Sequence, residues 1–378
     1  MSTKIFTEEP EQELWRNLLR YSYKSNIERY FAEHNFPICK ENDSENNIEI
    51  LSNAVAGAIQ QAYEYYQASK LVSLHVMPLM LYYGTTNLMN AMSILLCGQN
   101  TQIRNHGMQI EVDRAHSYIA NTIIKFNNKS DGGVHVFAKN LGFAKDLCAY
   151  NQHQWTLSDF FDSIAEINDD YNRCYTGRSS KVLMIEMVNT ADGVIEKLHV
   201  NVDQESTIKQ IEDFSKAYLK PQVGRTTKGD SYLVLRHKLN GKVIRQTSYS
   251  GQPYLRVAHA IKDKLLTIPE ELNMYISLFA LSSLCRYYPD IWYPFVTQDS
   301  TGEKLIVEKL LYYSRRMLPN IVLNNIEGHS ISFVSDKYVP DDRIHLVSEH
   351  EVKEMIDKEI EAQIKRQYVN NAVSIGRK

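Results

Sequence analysis

The apolar positions of this chain change period twice. From Glu11 to Glu33 they fall at helical spacing, with Trp15, Leu18, Leu19 and Ile27 on one side. After the polar run ENDSENN, residues 48–69 repeat that period and carry Ala54, Ala56, Gly57, Ala58 and Ala62, small enough to let a neighbouring helix approach closely. A third helix is predicted over PLMLYYGTTNLMNAMSILLCG, residues 78–98. Pro78 suits its first turn, and apolar residues run round its whole circumference, which implies burial on most sides.

Beyond Gly98 the texture becomes that of strands and turns. SYIANTIIKFNNKSDGGVHVFAKNL, residues 117–141, predicts strand, glycine turn and strand. TLSDFFDSIAEIN predicts a short helix capped by Thr156 or Ser158. Two later segments, from Gly177 and Gly224, open alike as GRSSK and GRTTK, and each is expected to continue as a hairpin through the turns ADG and LNG. They are either an internal duplication, 177–200 and 224–249, or a coincidence of five residues. QESTIKQIEDFSKAYL between them reads as one amphipathic helix. Helical spacing returns in PEELNMYISLFALSSLCRYY from Pro269 and in EKLIVEKLLYYSRRML, followed by a short strand, SISFV. In the tail, Val352, Ile356, Ile360, Ile364 and Tyr368 recur every four residues among charges, an amphipathic helix able to pack on the body or on a second copy.

The expected fold is therefore α+β: a helical module formed by N- and C-terminal helices, with a central antiparallel hairpin-rich insert. In domain terms this gives an N-terminal helical region 1–110, a hairpin-rich region 111–262, a C-terminal helical region 263–335 packing on the first, and a tail 336–378.

Candidate chemistry gathers at a few places. Tyr83, Asn87 and Asn90 share one helical stripe, and a buried amide without a partner costs about 1–3 kcal/mol. They either bond a neighbouring element or line a polar pocket. In RNHGMQI, from Arg104, His106 can serve as acid, base or ligand, or simply cap a loop, and Gly107 permits a tight turn. LCRYYPDIWYPF offers Arg286, Tyr288 and Trp292 as a stacking face or as an aromatic plug over a helix end. The two GR[ST][ST]K segments supply Arg178, Lys181, Arg225 and Lys228. Side by side these would hold a phosphate backbone, although neither fits the P-loop pattern. No zinc-protease, nucleophile-elbow, dinucleotide or kinase pattern occurs, so neither a metal nor a cofactor is expected.

QQAYEYYQASK, PLMLYYGTTNLMNA, HGMQI and LCRYYPDIW, taken in this order, resemble the YaaC-like proteins of bacteria. The resemblance runs from the second helix to about Val334 and leaves the tail as an addition. It marks Tyr82, Tyr83, Asn87, His106, Gly107, Arg286, Tyr288 and Trp292 as family-typical and gives none of them a role. The paired helices with tyrosines and asparagines are also similar to HEPN modules, helical domains of many bacterial RNases and defence proteins. Their arginine and histidine, with four to six residues between them, correspond in spacing to Arg29 and His34 or to Arg343 and His350.

Composition narrows these readings. A net charge of −3 gives no global attraction to nucleic acid, so such binding requires local basic loops. Five scattered cysteines without C-x-x-C suggest neither a zinc ribbon nor a disulfide framework. A polar N-terminus and the lack of a long apolar run point to a reduced, cytoplasmic protein off the membrane. Tyrosine is over-used, 24 against 12 phenylalanines, as suits semi-polar interfaces. Three functions follow: a nucleic-acid- or nucleotide-associated component of a bacterial stress or phage-defence pathway, a metal-independent RNase using Arg29 and His34, or a scaffold. The scaffold would recruit a partner or a second copy through the tail helix.

Overall fold

The computed structural model describes residues 2–34, 47–101, 103, 105–112, 114, 118–127, 132–143, 153–190, 193–199, 204–225, 231–238, 241–262 and 264–335. At 2, 189, 190, 193, 194, 204 and 205 only the backbone is described. Residues 1–5 and 11–333 form one compact unit. Residues 6–10 and 334–335 belong to another, in which Thr7 N donates to Val334 O at 2.9 Å. Lys228, Arg343, His350 and the tail helix lie outside the described residues.

The chain opens with β1 (Ser2–Phe6), α1 (Pro10–Leu19) and α2 (Lys24–Glu33). The first expected helix is thus two, because a 3-10 turn over Arg20–Ser22 re-aims the chain. α3 (Ile48–Ser69) starts where the Asn47 side chain accepts from Glu49 N, and α4 (Met77–Cys97) ends on left-handed Gly98. Gly84 of α4 sits against the Tyr66 ring of α3, so a Cβ there would lie 2.7 Å from a ring carbon.

The centre departs from expectation first in its opening hairpin. β2 (Met108–Glu111) and β3 (Ile123–Phe126) pair antiparallel, and β4 (Trp155–Thr156) joins β3. GVHVFAKN is not a strand but α5 (Gly133–Asn140). Val134, Phe137 and Ala138 are buried at helical spacing, and the carbonyls of Asn105 and His106 accept the first-turn amides of Gly133 and Val134. The β-branched residues pointed to a strand, but this tertiary capping favours the helix. α6 (Leu157–Phe161) carries the expected Thr156 cap as a full capping box with Asp159, and α7 (Asn168–Cys174) follows.

Next comes a six-stranded antiparallel sheet with its own core of Ile185, Leu198, Phe214, Tyr218, Leu233 and Leu255. β5 (Val182–Thr190) and β6 (Gly193–His199) form the expected hairpin. The helix predicted from Gln204 breaks into α8 (Gln204–Lys209) and α9 (Phe214–Ala217) at Asp213. With φ 58° this residue stands at the N-cap of the second helix, where helical backbone cannot run through, and its carboxylate holds Lys216 and Lys242. β7 (Gln222–Arg225) and β8 (Ser231–Leu235) pair with each other, so the second GR[ST][ST]K begins inside a strand with Gly224 and Arg225. The first lies instead in a left-handed turn ahead of β5, with Gly177 at φ +85°. β9 (Gln246–Thr247) and β10 (Pro253–Arg256) complete the order β7-β8-β6-β5-β10-β9, and β11 (His259–Ile261) with β12 (Lys264–Leu266) makes a separate ribbon.

α10 (Glu270–Tyr287), α11 (Pro289–Gln298) and α12 (Glu303–Glu327) close the helical module, and β13 (Ser330–Val334) pairs with β1. α4 packs against α3, α10 and α12, and one continuous core spans both ends of the chain. The architecture is α+β, with N- and C-terminal helices together and the hairpins between. Glu303, fully buried, fastens the two parts: it accepts from Ile119 N at 2.7 Å, Ala120 N at 2.8 Å and Tyr175 OH at 2.5 Å.

Candidate functional site

The polar stripe of α4 finds its partners within the protein. Asn87 Nδ2 donates to Gln61 Oε1 at 3.3 Å, and Asn90 Oδ1 accepts from Thr101 Oγ1 at 2.8 Å. The Tyr83 hydroxyl accepts from Arg286 Nη1 at 2.6 Å, while that guanidinium also lies over the Tyr83 and Tyr287 rings. One residue back, the buried Tyr82 hydroxyl lies 2.6 Å from His106 Nδ1 and 3.1 Å from Tyr275 OH. Burial first, and the Arg286 charge second, hold half-buried His106 below the ordinary histidine range. Gly107, at φ +76°, gives α5 room: a Cβ there would meet His135 and Val134 inside 3 Å. Tyr288 bridges α10 and α11, and buried Trp292 donates Nε1 to His75 O at 3.2 Å. Tyr83, His106 and Arg286 are thus brought together around Tyr82, whereas Asn87, Asn90 and Trp292 bond elsewhere. This is a hydrogen-bonded seam between α4, α10 and the loop before β2.

A different place has the shape of a binding site. A cleft of about 760 Å³ opens beside the loop into β5, lined by Arg178, Ser179, Lys181, His199, Thr207 and Gln252 among others. That loop is nailed down. Ser180 Oγ and Lys181 N both donate to Asp162 O at 2.8 Å, Asn172 Oδ1 accepts from Ser180 N, and Arg178 Nη2 donates to Asn121 Oδ1 at 2.6 Å. His199 is paired with Glu186 at 2.9 Å. The Lys181 ammonium, half-buried, has no hydrogen-bond or ion-pair partner among the described residues. Arg225 does not join it: it is exposed on the edge strand β7, three strand spacings from β5, or about 14 Å.

Behind this loop lies a group that no motif in the sequence announces. Asp162 and His259, 5% and 7% exposed, flank Ser163. Ser163 Oγ donates to Asp162 Oδ1 at 2.6 Å and sits 3.3 Å from His259 Nε2, which is 3.6 Å from the same carboxylate oxygen. Burial pushes Asp162 well above the usual carboxylate range. Burial first, then the charges of Lys181 and Arg256, hold His259 down to about 3, so its imidazole is neutral at pH 7. Ser163 and His259 are 96 residues apart, and only the meeting of α6 with β11 joins them. The one trace in the sequence is the i, i+3 pair Asp159 and Asp162.

The YaaC-like Protein family profile matches residues 16–326. The chain belongs to the YaaC-like family. That match takes in α2 to α12 and every segment on which the resemblance rested. No curated protein and no solved structure matches the chain. The likeness to HEPN modules gains no support. Arg29 donates to Asn26 Oδ1 at 2.8 Å, and His34 stacks on Tyr30 with Nδ1 2.8 Å from Tyr30 O, so each is engaged within its own helix. Among the described residues no helix is long and apolar enough to cross a membrane.

Proposed function

We propose that this YaaC-like protein binds a nucleotide in the cleft beside β5, with Lys181 on the phosphates. The reading rests on one observation: half-buried Lys181, whose ammonium has no hydrogen-bond or ion-pair partner among the described residues, lines a concave space of small-ligand size rich in hydroxyls and amides. A phosphate is the group that best uses such a cation together with Ser179 and Thr207. Arg178, oriented by Asn121 and Tyr175, stands at the same cleft as the second charge. A nucleic-acid strand is favoured less, because the other basic loop stands apart on β7.

Isothermal titration of purified protein with a panel of purine and pyrimidine mono-, di- and triphosphates tests this. A charge-assisted contact is worth about 1.5–3 kcal/mol, so Lys181→Met is expected to weaken binding by about 10- to 150-fold, with Arg225→Ala unchanged. No binding by the wild type to any member of the panel, or equal binding by Lys181→Met, refutes the proposal. A parallel titration with single-stranded RNA and DNA over a salt series separates strand binding, which would respond to Arg225→Ala and fall steeply with salt.

A further inference from the structure

We propose that Asp159, Asp162 and His259 form a binding site for a first-row divalent transition-metal ion. One carboxylate oxygen of each aspartate and one ring nitrogen of His259 lie within 4.8 Å of one another. Donors around such an ion sit about 2.0–2.2 Å from it, so a donor pair spans about 3.4 Å at the tetrahedral angle and about 4.2 Å when opposite, and side-chain movements of about 0.6–1.4 Å close the set. All three side chains are held in place. Asp159 Oδ2 accepts from Thr156 N and Oγ1, which fixes the carboxylate and leaves Oδ1 for an ion. His259 is clamped edge-on against buried Trp155.

A second observation is independent of the clustering. Asp162 is nineteen-twentieths buried, yet only one of its oxygens takes a hydrogen bond among the described residues, from Ser163. Burying a carboxylate with so few donors is costly unless a cation or a proton compensates it. One imidazole with two carboxylates suits zinc, manganese, iron or cobalt better than calcium or magnesium, which prefer all-oxygen shells. Three protein donors leave a coordination position open, the arrangement of sites that act on a further ligand. Lys181 and Arg256 act electrostatically on both Asp162 and His259, so they oppose the ion and limit its affinity. The inference does not depend on nucleotide binding, and Lys181 separates the two: its loss is expected to weaken a nucleotide and to tighten a metal.

Cobalt(II) is the probe, added to the metal-stripped full-length protein and followed by visible absorption and titration calorimetry. One equivalent per chain is expected, with visible bands typical of a four- or five-coordinate nitrogen–oxygen site. Asp162→Asn and His259→Gln should each weaken binding at least tenfold, and Lys181→Met should strengthen it. Because those two positions are buried, Asp159→Asn supplies a milder variant. Its amide oxygen retains the Thr156 cap while the ligand charge is lost, and a comparable weakening is expected. Absence of stoichiometric binding in the wild type overturns the site, as does wild-type affinity in Asp159→Asn or in a folded Asp162→Asn or His259→Gln.

Discussion

Replacing either helical glycine of the α3–α4 pair by alanine makes the same chemical change and should have opposite consequences. Alanine in a helix interior is favoured over glycine by about 0.5–1 kcal/mol. At Gly57 of α3 a Cβ would meet no atom within 4 Å, so Gly57→Ala should raise stability by that amount. At Gly84 of α4 the new Cβ would lie 2.7 and 2.8 Å from two carbons of the Tyr66 ring and 3.1 Å from Tyr65 Cβ. The ring cannot swing aside cheaply. Tyr66 is fully buried, packs on Trp15 at 5.1 Å, and its hydroxyl pairs with Thr85 Oγ1 at 2.8 Å. Overpacking costs about 1–3 kcal/mol, and a broken buried hydrogen bond adds about 0.5–1.5 kcal/mol. After the helix-propensity gain, Gly84→Ala should lose about 0.5–4 kcal/mol. Urea denaturation of the two variants beside wild type, with the slope held common, measures both. If Gly84→Ala proves as stable as Gly57→Ala, close approach of the two helices is not what glycine provides in the signature segment.

Two further outcomes follow from the seam and its fastening. Arg286→Met removes a cation that disfavours the imidazolium, so the His106 titration followed by NMR should move up from its depressed position toward 6.5 and stay below it, since burial persists. With the folded-state value depressed, protonation of His106 in the unfolded chain takes away stability as pH falls below 6.5, and the variant should show less of that loss. Glu303→Gln places an amide NH₂ where the Ile119 and Ala120 amides and the Tyr175 hydroxyl require acceptors, and should cost about 2–4 kcal/mol by chemical denaturation.

Local pattern foretold the helices well where burial and capping agree. α3 begins at its asparagine cap, α4 ends at its glycine, and α6 starts on Thr156. It failed where a distant partner decides the outcome. GVHVFAKN has strand-like residues, yet two carbonyls near His106 take its first amides and a helix results. Residues from Gln204 to Leu219 have helical periodicity, yet left-handed Asp213 interrupts them. For the chemistry, the signature stripe on α4 drew attention because its polar residues stand out against an apolar helix, and it proves to be wired into the framework. Asp162 and His259 drew none, since a lone aspartate and a lone histidine in separate elements have no pattern until the chain is folded.

The seam between Tyr83 and Arg286 also has a meaning in time. The two residues are 203 positions apart, and Tyr82 and Tyr275 are 193 apart. At roughly 5–20 residues per second, a ribosome that has just made α4 needs about 10–40 s more to deliver α10. Throughout that interval a helix apolar on nearly every side has α2, α3 and, once made, α5 beside it but lacks α10 and α12. The nascent chain is therefore one that a holdase should recognise early, and fragments ending before residue 270 should accumulate on chaperones or in inclusion bodies.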